Sequence, residues 1–205
     1  MAIDLHKELL ALRRDLLQMG AMVEQRLRKV VEALETGDTE LARQVKKGDR
    51  EVDEQDLQIE SECLRVLALG GPVAGDLRFV LAAMRIDGQL ERIGDLARSI
   101  AKRIIRLSIL PTVELPQALH DMARAAQTML ADALLALTNE DAALCQRVLS
   151  ADERVDDLRK EVFAWVRQEI PDHPESTQAY IDILSMAQKM ERIGDMSHGI
   201  ATAVI

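Results

Sequence analysis

Leu90-Glu91-Arg92-Ile93-Gly94-Asp95 returns 100 residues later as Met190-Glu191-Arg192-Ile193-Gly194-Asp195, changed only at its first position. Its surroundings return with it. Upstream of the first copy stands Asp49-Arg50-Glu51-Val52-Asp53, and upstream of the second stands Asp152-Glu153-Arg154-Val155-Asp156. The two halves therefore carry the same acids in the same order, Asp49, Asp53, Glu91 and Asp95 against Asp152, Asp156, Glu191 and Asp195. The chain is an internal duplication, and the fold of one half should repeat in the other.

Around these segments the apolar residues recur at helical steps. Leu5, Leu9, Leu12, Leu16, Met19, Val23, Leu27, Val30 and Leu34 form one seam, read as helix 1. Gly37-Asp38 breaks it, with Asp38 placed to cap helix 2, whose stripe runs Leu41, Val45, Gly48, Val52, Ile59, Cys63 and Val66. Gly70-Gly71-Pro72 ends that helix, because tandem glycine followed by proline cannot continue it cheaply. Helix 3 carries Ile86, Leu90, Ile93, Ala97, Ile100, Ile104 and Leu107, and Pro111 and Pro116 bracket a linker.

The second half repeats the plan, with helix 4 expected over 117–138, helix 5 over 141–169 and helix 6 from 175 onward. Asn139 and Asp141 supply turn and cap, and Pro171-Asp172-His173-Pro174 separates helices 5 and 6. Long helices joined by short turns are antiparallel neighbours. The expected fold is all-α, two tandem pseudo-symmetric three-helix bundles over residues 1–110 and 111–205.

Composition agrees and narrows the function. Of the 205 residues only 2% are aromatic, glycine and proline are few, and the net charge is −9. That charge disfavours a nucleic-acid partner, since neutralising phosphates needs a basic surface. No apolar run approaches the ~20 residues of a membrane span, and the N-terminus shows no signal-peptide pattern, so a cytoplasmic protein is expected. Cys63 and Cys145 stand alone near the apolar stripes and read as buried reduced thiols.

The repeated acids carry the chemistry. Asp49 and Asp53 each follow a seam position of helix 2 by one residue, and Glu91 and Asp95 flank the seam of helix 3. Counted from the Gly-Gly-Pro turn, Asp49 and Asp95 lie about 22.5 and 23.5 residues away, and Asp53 and Glu91 about 18.5 and 19.5, so the pairs meet at one level. The same count brings Asp152 near Asp195 and Asp156 near Glu191. Such neighbours repel by roughly 1–4 kcal/mol per close pair and raise one another's pKa unless a cation intervenes. An all-oxygen set suits a hard cation. Asp87, matched by Ala187, is at most a supplementary ligand, His198, matched by Arg98, reads as a surface histidine, and Arg92 and Arg192 read as solvated. Gly94 and Gly194 among the acids suggest close backbone approach or room for a cluster.

The chain resembles the PhoU family of phosphate-transport regulators along essentially its whole length. The resemblance rests on Met19-Gly20-Ala21-Met22-Val23-Glu24-Gln25, Gly48-Asp49-Arg50-Glu51-Val52-Asp53, Gly75-Asp76-Leu77-Arg78 and the two Glu-Arg-Ile-Gly-Asp segments. It implies paired three-helix bundles whose acidic motifs, here Asp49, Asp53, Glu91 and Asp95 with Asp152, Asp156, Glu191 and Asp195, hold multinuclear iron, with Mn, Zn, Mg or Ca as other occupants. It also implies a homodimer and a cytoplasmic negative regulator of phosphate uptake. The implied partners are the sensor kinase PhoR and the transporter ATPase PstB, with recruitment to the membrane only through them. The residues alone leave two other readings open. One is a metal-free helical scaffold, and the other is a carboxylate-bridged metalloenzyme, for which no Ser, Cys or His constellation stands near the acids.

Overall fold

Leu12, Leu16, Met19, Val23, Leu27, Val30 and Leu34 are all buried, so the first seam faces a core along its length. The computed structural model describes residues 4–48 and 50–204. Among the described residues the chain is helical, without strands: α1 (Leu5–Thr36), α2 (Thr39–Lys47), α3 (Arg50–Arg65), α4 (Ala74–Leu107), α5 (Gln117–Asn139), α6 (Ala142–Asp172) and α7 (Thr177–Val204). A π-helical turn, Val66–Gly70, extends α3, and a 3-10 turn, Pro174–Ser176, leads into α7.

The caps follow local chemistry. Asp38 accepts from the backbone N–H groups of Glu40 and Leu41 at 2.9 and 3.0 Å, and Asp141 does the same for Ala143 and Leu144 at 2.8 and 3.2 Å. Gly37 and Gly71 stand at φ 69° and 54°, the left-handed conformation that glycine adopts without steric cost.

The second helix read from the sequence is divided into α2 and α3. The Gly48 N–H returns to the Gln44 carbonyl at 3.2 Å, closing α2, and Arg26 of α1 donates to the Gly48 carbonyl from a buried position. A guanidinium arriving from another helix thus satisfies a carbonyl that leaves the helical ladder. Helix α6 runs further than read, through Pro171 to Asp172, and closes with His173 N–H on the Glu169 carbonyl at 3.0 Å. Proline is tolerated there because only one N–H is lost, within the final turn.

Helices α1 to α4 pack together, as do α5, α6 and α7, and the two groups join where α4 lies on α7 and α1 on α5. At the second contact a Cβ on Gly20 would come within 2.7 Å of a Leu134 methyl, so the absent side chain lets α1 approach α5. Across the first, Arg103 meets Ser185, Arg106 meets Asp182 and Gln89 meets Gly199. These three pairs share one antiparallel register, which also sets Gly94 level with Gly194. The repeated segments therefore face each other about a pseudo-dyad. Burial runs identically, position for position, over 90–101 and 190–201.

Candidate functional site: two carboxylate patches

Each patch is built where the third helix of a bundle lies against the second. In the first, α3 presents Asp53 and α4 presents Glu91 and Asp95; Asp49 lies outside the described residues. The Glu91 carboxyl is pushed above its usual range by burial and then by the charges of Asp95, Asp56 and Asp53. Glu91 therefore lies within the charge field of Asp95, Asp56 and Asp53. Arg98 donates to Asp95 at 2.8 Å.

Two acids that the repeated motif does not include deepen this patch. Asp87 is only 4% exposed, shares a hydrogen bond with Asp56, and is lifted to about 8 by burial and by the Asp56, Glu60 and Glu91 charges. Its second oxygen, Oδ1, has no hydrogen-bond partner. A buried carboxylate oxygen without a partner is costly and aims at whatever can satisfy it. Cys63 on α3 lies nearby, and burial with the Asp87 and Glu62 charges pushes its thiol up to about 12, which keeps it an inert packing group. Cys145 is also free and buried.

The second patch repeats the motif with different surroundings. Asp152 and Asp156 of α6 face Glu191 and Asp195 of α7, and Asp195 is raised by burial and then by Asp152 and Asp156. Burial also raises Glu191, against an opposing pull from Arg159. Arg159 Nε stands 3.1 Å from Glu191 Oε1, yet at an angle that leaves it without a hydrogen bond. His198, read as a surface histidine, is half-buried against the patch, its Nδ1 3.4 Å from Asp152 Oδ2 and likewise unaligned. Registering the halves on their motifs pairs Asp56 with Arg159 and Asp87 with Ala187. Each patch thus holds a cation, Arg98 against Asp95 in the first and Arg159 beside Glu191 in the second, and the first adds Asp56 and Asp87 to the motif acids.

The donor set fits a hard cation better in the first patch, where Asp56 and Asp87 add oxygens to the motif acids and Asp87 Oδ1 is unsatisfied. Among the described residues, no three His, Cys, Asp or Glu side chains close into coordination geometry. Asp56 and Arg159 escaped the sequence reading because they stand outside the repeated strings. Their signal was there, since Asp56 follows Asp53 by three residues and shares its helix face. Gly94 and Gly194 lie behind the acids: a Cβ on Gly94 would meet Arg26 at 3.4 Å and Val52 at 3.5 Å, and one on Gly194 would meet Met129 and Val155 at 3.5 and 3.6 Å. These are ordinary contact distances to side chains, so neither position requires glycine for the helices to approach.

Comparison with known proteins agrees with the duplicated helical fold. Residues 16–104 and 119–204 each match the PhoU domain, so the match divides where the duplication does. The chain is 33% identical over 199 residues to a phosphate-specific transport system accessory protein PhoU homolog of Caulobacter vibrioides, covering 97% of this chain and 86% of that protein. An Aquifex aeolicus homolog of the same description is 31% identical, covering 93% and 86%. Among solved structures, PhoU from Pseudomonas aeruginosa superposes with a TM-score of 0.92 at 32% identity, covering 98% of this chain and 96% of that one. The phosphate transport system regulatory protein PhoU from Streptococcus pneumoniae superposes at 0.89 and 29% identity, covering 98% and 95%. With both halves matched and nearly all of the chain covered, this protein belongs to the PhoU domain family.

Proposed function

We propose that this chain is an accessory regulator of phosphate-specific transport that holds down phosphate uptake and the phosphate regulon when phosphate is plentiful. The observation that carries the reading is the match, over 93–97% of this chain, to accessory proteins of that system. As an adaptor it contacts the transporter ATPase, PstB, and the sensor kinase, PhoR. It acts from the cytoplasm as a homodimer of two-bundle chains divided near residue 110. No described helix is long and apolar enough to cross a membrane, which is compatible with recruitment through partners. The reading as a regulator without catalytic activity rests on the family and on the chemistry at the patches, where carboxylates and cations stand without a positioned nucleophile.

Deletion in the source organism tests the regulatory role. Alkaline phosphatase expression and phosphate uptake should rise in high-phosphate medium, and unchanged levels would count decisively against it. Purified PstB and the cytoplasmic part of PhoR should each retain the intact chain in a binding assay.

The patches serve this role as cation-dependent clamps. Asp49, Asp53, Glu91 and Asp95, with Asp56 and Asp87 beside them, would hold a hard cation in the first bundle, iron foremost. Asp152, Asp156, Glu191 and Asp195 would do so in the second, once Arg159 swings away. A bound cation supplies opposite charge to acids that otherwise repel. The acids in turn tie α3 to α4 and α6 to α7. Elemental analysis of chain purified without chelator should find more than one metal per chain, and metal-free protein would favour the plain scaffold.

A further inference from the structure

This chain has a net charge of −9, yet cations border the groove where α4 crosses α7. The groove measures about 660 Å³, and its walls include Arg92 and Ser99 of α4 with Lys189 and Arg192 of α7. Arg103, one turn beyond Ser99, closes the row. None of Arg92, Arg103, Lys189 and Arg192 forms an ion pair among the described residues, whereas Arg98 and Arg106 close by hold Asp95 and Asp182.

Two serines organise these cations. Arg103 donates through Nε to Ser185 Oγ at 2.8 Å and through Nη1 to Ser99 Oγ at 2.8 Å, and Lys189 Nζ donates to the same Ser185 Oγ at 3.2 Å. Both hydroxyl oxygens therefore accept. Ser150 and Ser197 direct their own hydrogens to the carbonyl four residues back, but Ser99 and Ser185 donate to no described atom. Each keeps a hydrogen for a third party. Arg103 and Lys189 thus converge on one hydroxyl, Ser185 Oγ, so two cations stand side by side along the groove.

We propose that Lys189, Arg103, Ser99 and Ser185, with Arg92 and Arg192 at the rim, form a cradle for one phosphate-type oxyanion to one side of the pseudo-dyad. Ammonium, guanidinium and hydroxyl donors match the several acceptor oxygens of such an ion, in a half-buried setting where charge-assisted bonds are strong. Asp95 and Asp195 also line the groove, and they set the selectivity. A protonated phosphate can donate its hydrogen to a carboxylate; sulfate has none and is repelled. The duplicate position cannot take a second ion. Gln89 replaces Lys189 there and lies within 3.3 Å of where a Cβ on Gly199 would stand, leaving one cradle per chain.

Titration of the intact purified chain with inorganic phosphate tests this, by calorimetry and by phosphorus NMR line width, with and without chelator and against sulfate at matched ionic strength. Expected is saturable binding at one phosphate per chain that persists with chelator, with sulfate at least about tenfold weaker. Lys189→Met and Arg103→Met should each weaken binding by about tenfold or more, while Lys102→Met, an exposed cation elsewhere on α4, leaves it unchanged. Circular dichroism verifies that each variant is folded, and the NMR measurement on unmodified chain stands whether or not they fold. Phosphoserine in parallel separates two sources of the same chemistry: tighter binding than free phosphate points to a phosphoryl group on another molecule, weaker binding to the free ion. Absence of saturable binding, loss with chelator, equal affinity for sulfate, or indifference to both cradle substitutions would each overturn the proposal. The regulatory reading, tested by deletion, survives any of these.

Discussion

Asp87 shows how one buried acid ties the fold to pH. Its carboxyl stays protonated up to about pH 8 in the folded chain, against an ordinary value of 3.8, with burial the first cause and Asp56, Glu60 and Glu91 the next. Between those limits the folded state binds the extra proton, so stability falls as pH rises from about 4 to 8 and is unaffected below. Asp87→Asn keeps the shape and removes the titration. After allowance for screening by water at half-exposed Asp56, the variant should gain on the order of 2 kcal/mol over the natural chain at pH 8.5 and almost nothing near pH 4. Urea denaturation at the two pH values measures this, and an equal difference at both would refute it. Gly194 makes a second residue-level case. A Cβ there meets Met129, Val155 and Asp152 at 3.5 to 3.8 Å, ordinary contact distances, so Gly194→Ala should stabilise the chain by about 0.5–1 kcal/mol through helix propensity. A fall in Tm would show that the close passage of α5 and α6 leaves no space. The repeated acids were legible because duplication announces them; Asp56 and Arg159 were not, because their roles lie in how the copies differ.

At the scale of the element, substitutions at two adjacent residues of the α5–α6 turn should move stability in opposite directions. Glu140 ends α5 at φ 53°, a conformation that costs a residue with a Cβ, and its compensation is an exposed ion pair with Arg13 at 2.7 Å. Glu140→Gly should therefore stabilise by about 0.5 kcal/mol, while Asp141→Ala, which removes the cap of α6, should cost about 1 kcal/mol. Thermal unfolding of the two variants checks the pair, and changes of the same sign would contradict it. Caps and stripes of this kind were readable because they depend on residues a few positions apart. The division between α2 and α3 was not, since the Gly48 carbonyl is satisfied by Arg26, which arrives from another helix. The same contrast governs the patches. Arg159 on α6 provides the second patch with a cation of its own, so Arg159→Gln should tighten binding of Mn²⁺ there by about tenfold and leave the first patch unchanged. Two-site calorimetry resolves this, and weaker binding in the variant would make Arg159 a support of the site.

The whole molecule is held at the pseudo-dyad, and that join was the least legible part of the chain. Periodicity marks the face each helix turns to its own bundle, but α4 and α7 meet through other faces, with polar residues whose partners lie in the opposite half. Arg106 of α4 pairs through two nitrogens with Asp182 of α7, a carboxylate with no exposure at all. Removing the guanidinium leaves a buried charge unpaired, which is more damaging than the net value of the pair. Because Arg106 is itself half-exposed, water recovers part of that loss, and Arg106→Met should destabilise by about 2–4 kcal/mol. The distribution of the effect tells how the halves cooperate. Trp165 on α6 packs edge-on against Tyr180 on α7, ring centroids 5.7 Å apart, so its fluorescence reports the second bundle alone, whereas circular dichroism reports every helix. If α4 on α7 and α1 on α5 make one cooperative unit, both signals should shift to lower urea together in the variant. Separation of the two transitions would show instead that the bundles unfold independently and that the pseudo-dyad is a hinge.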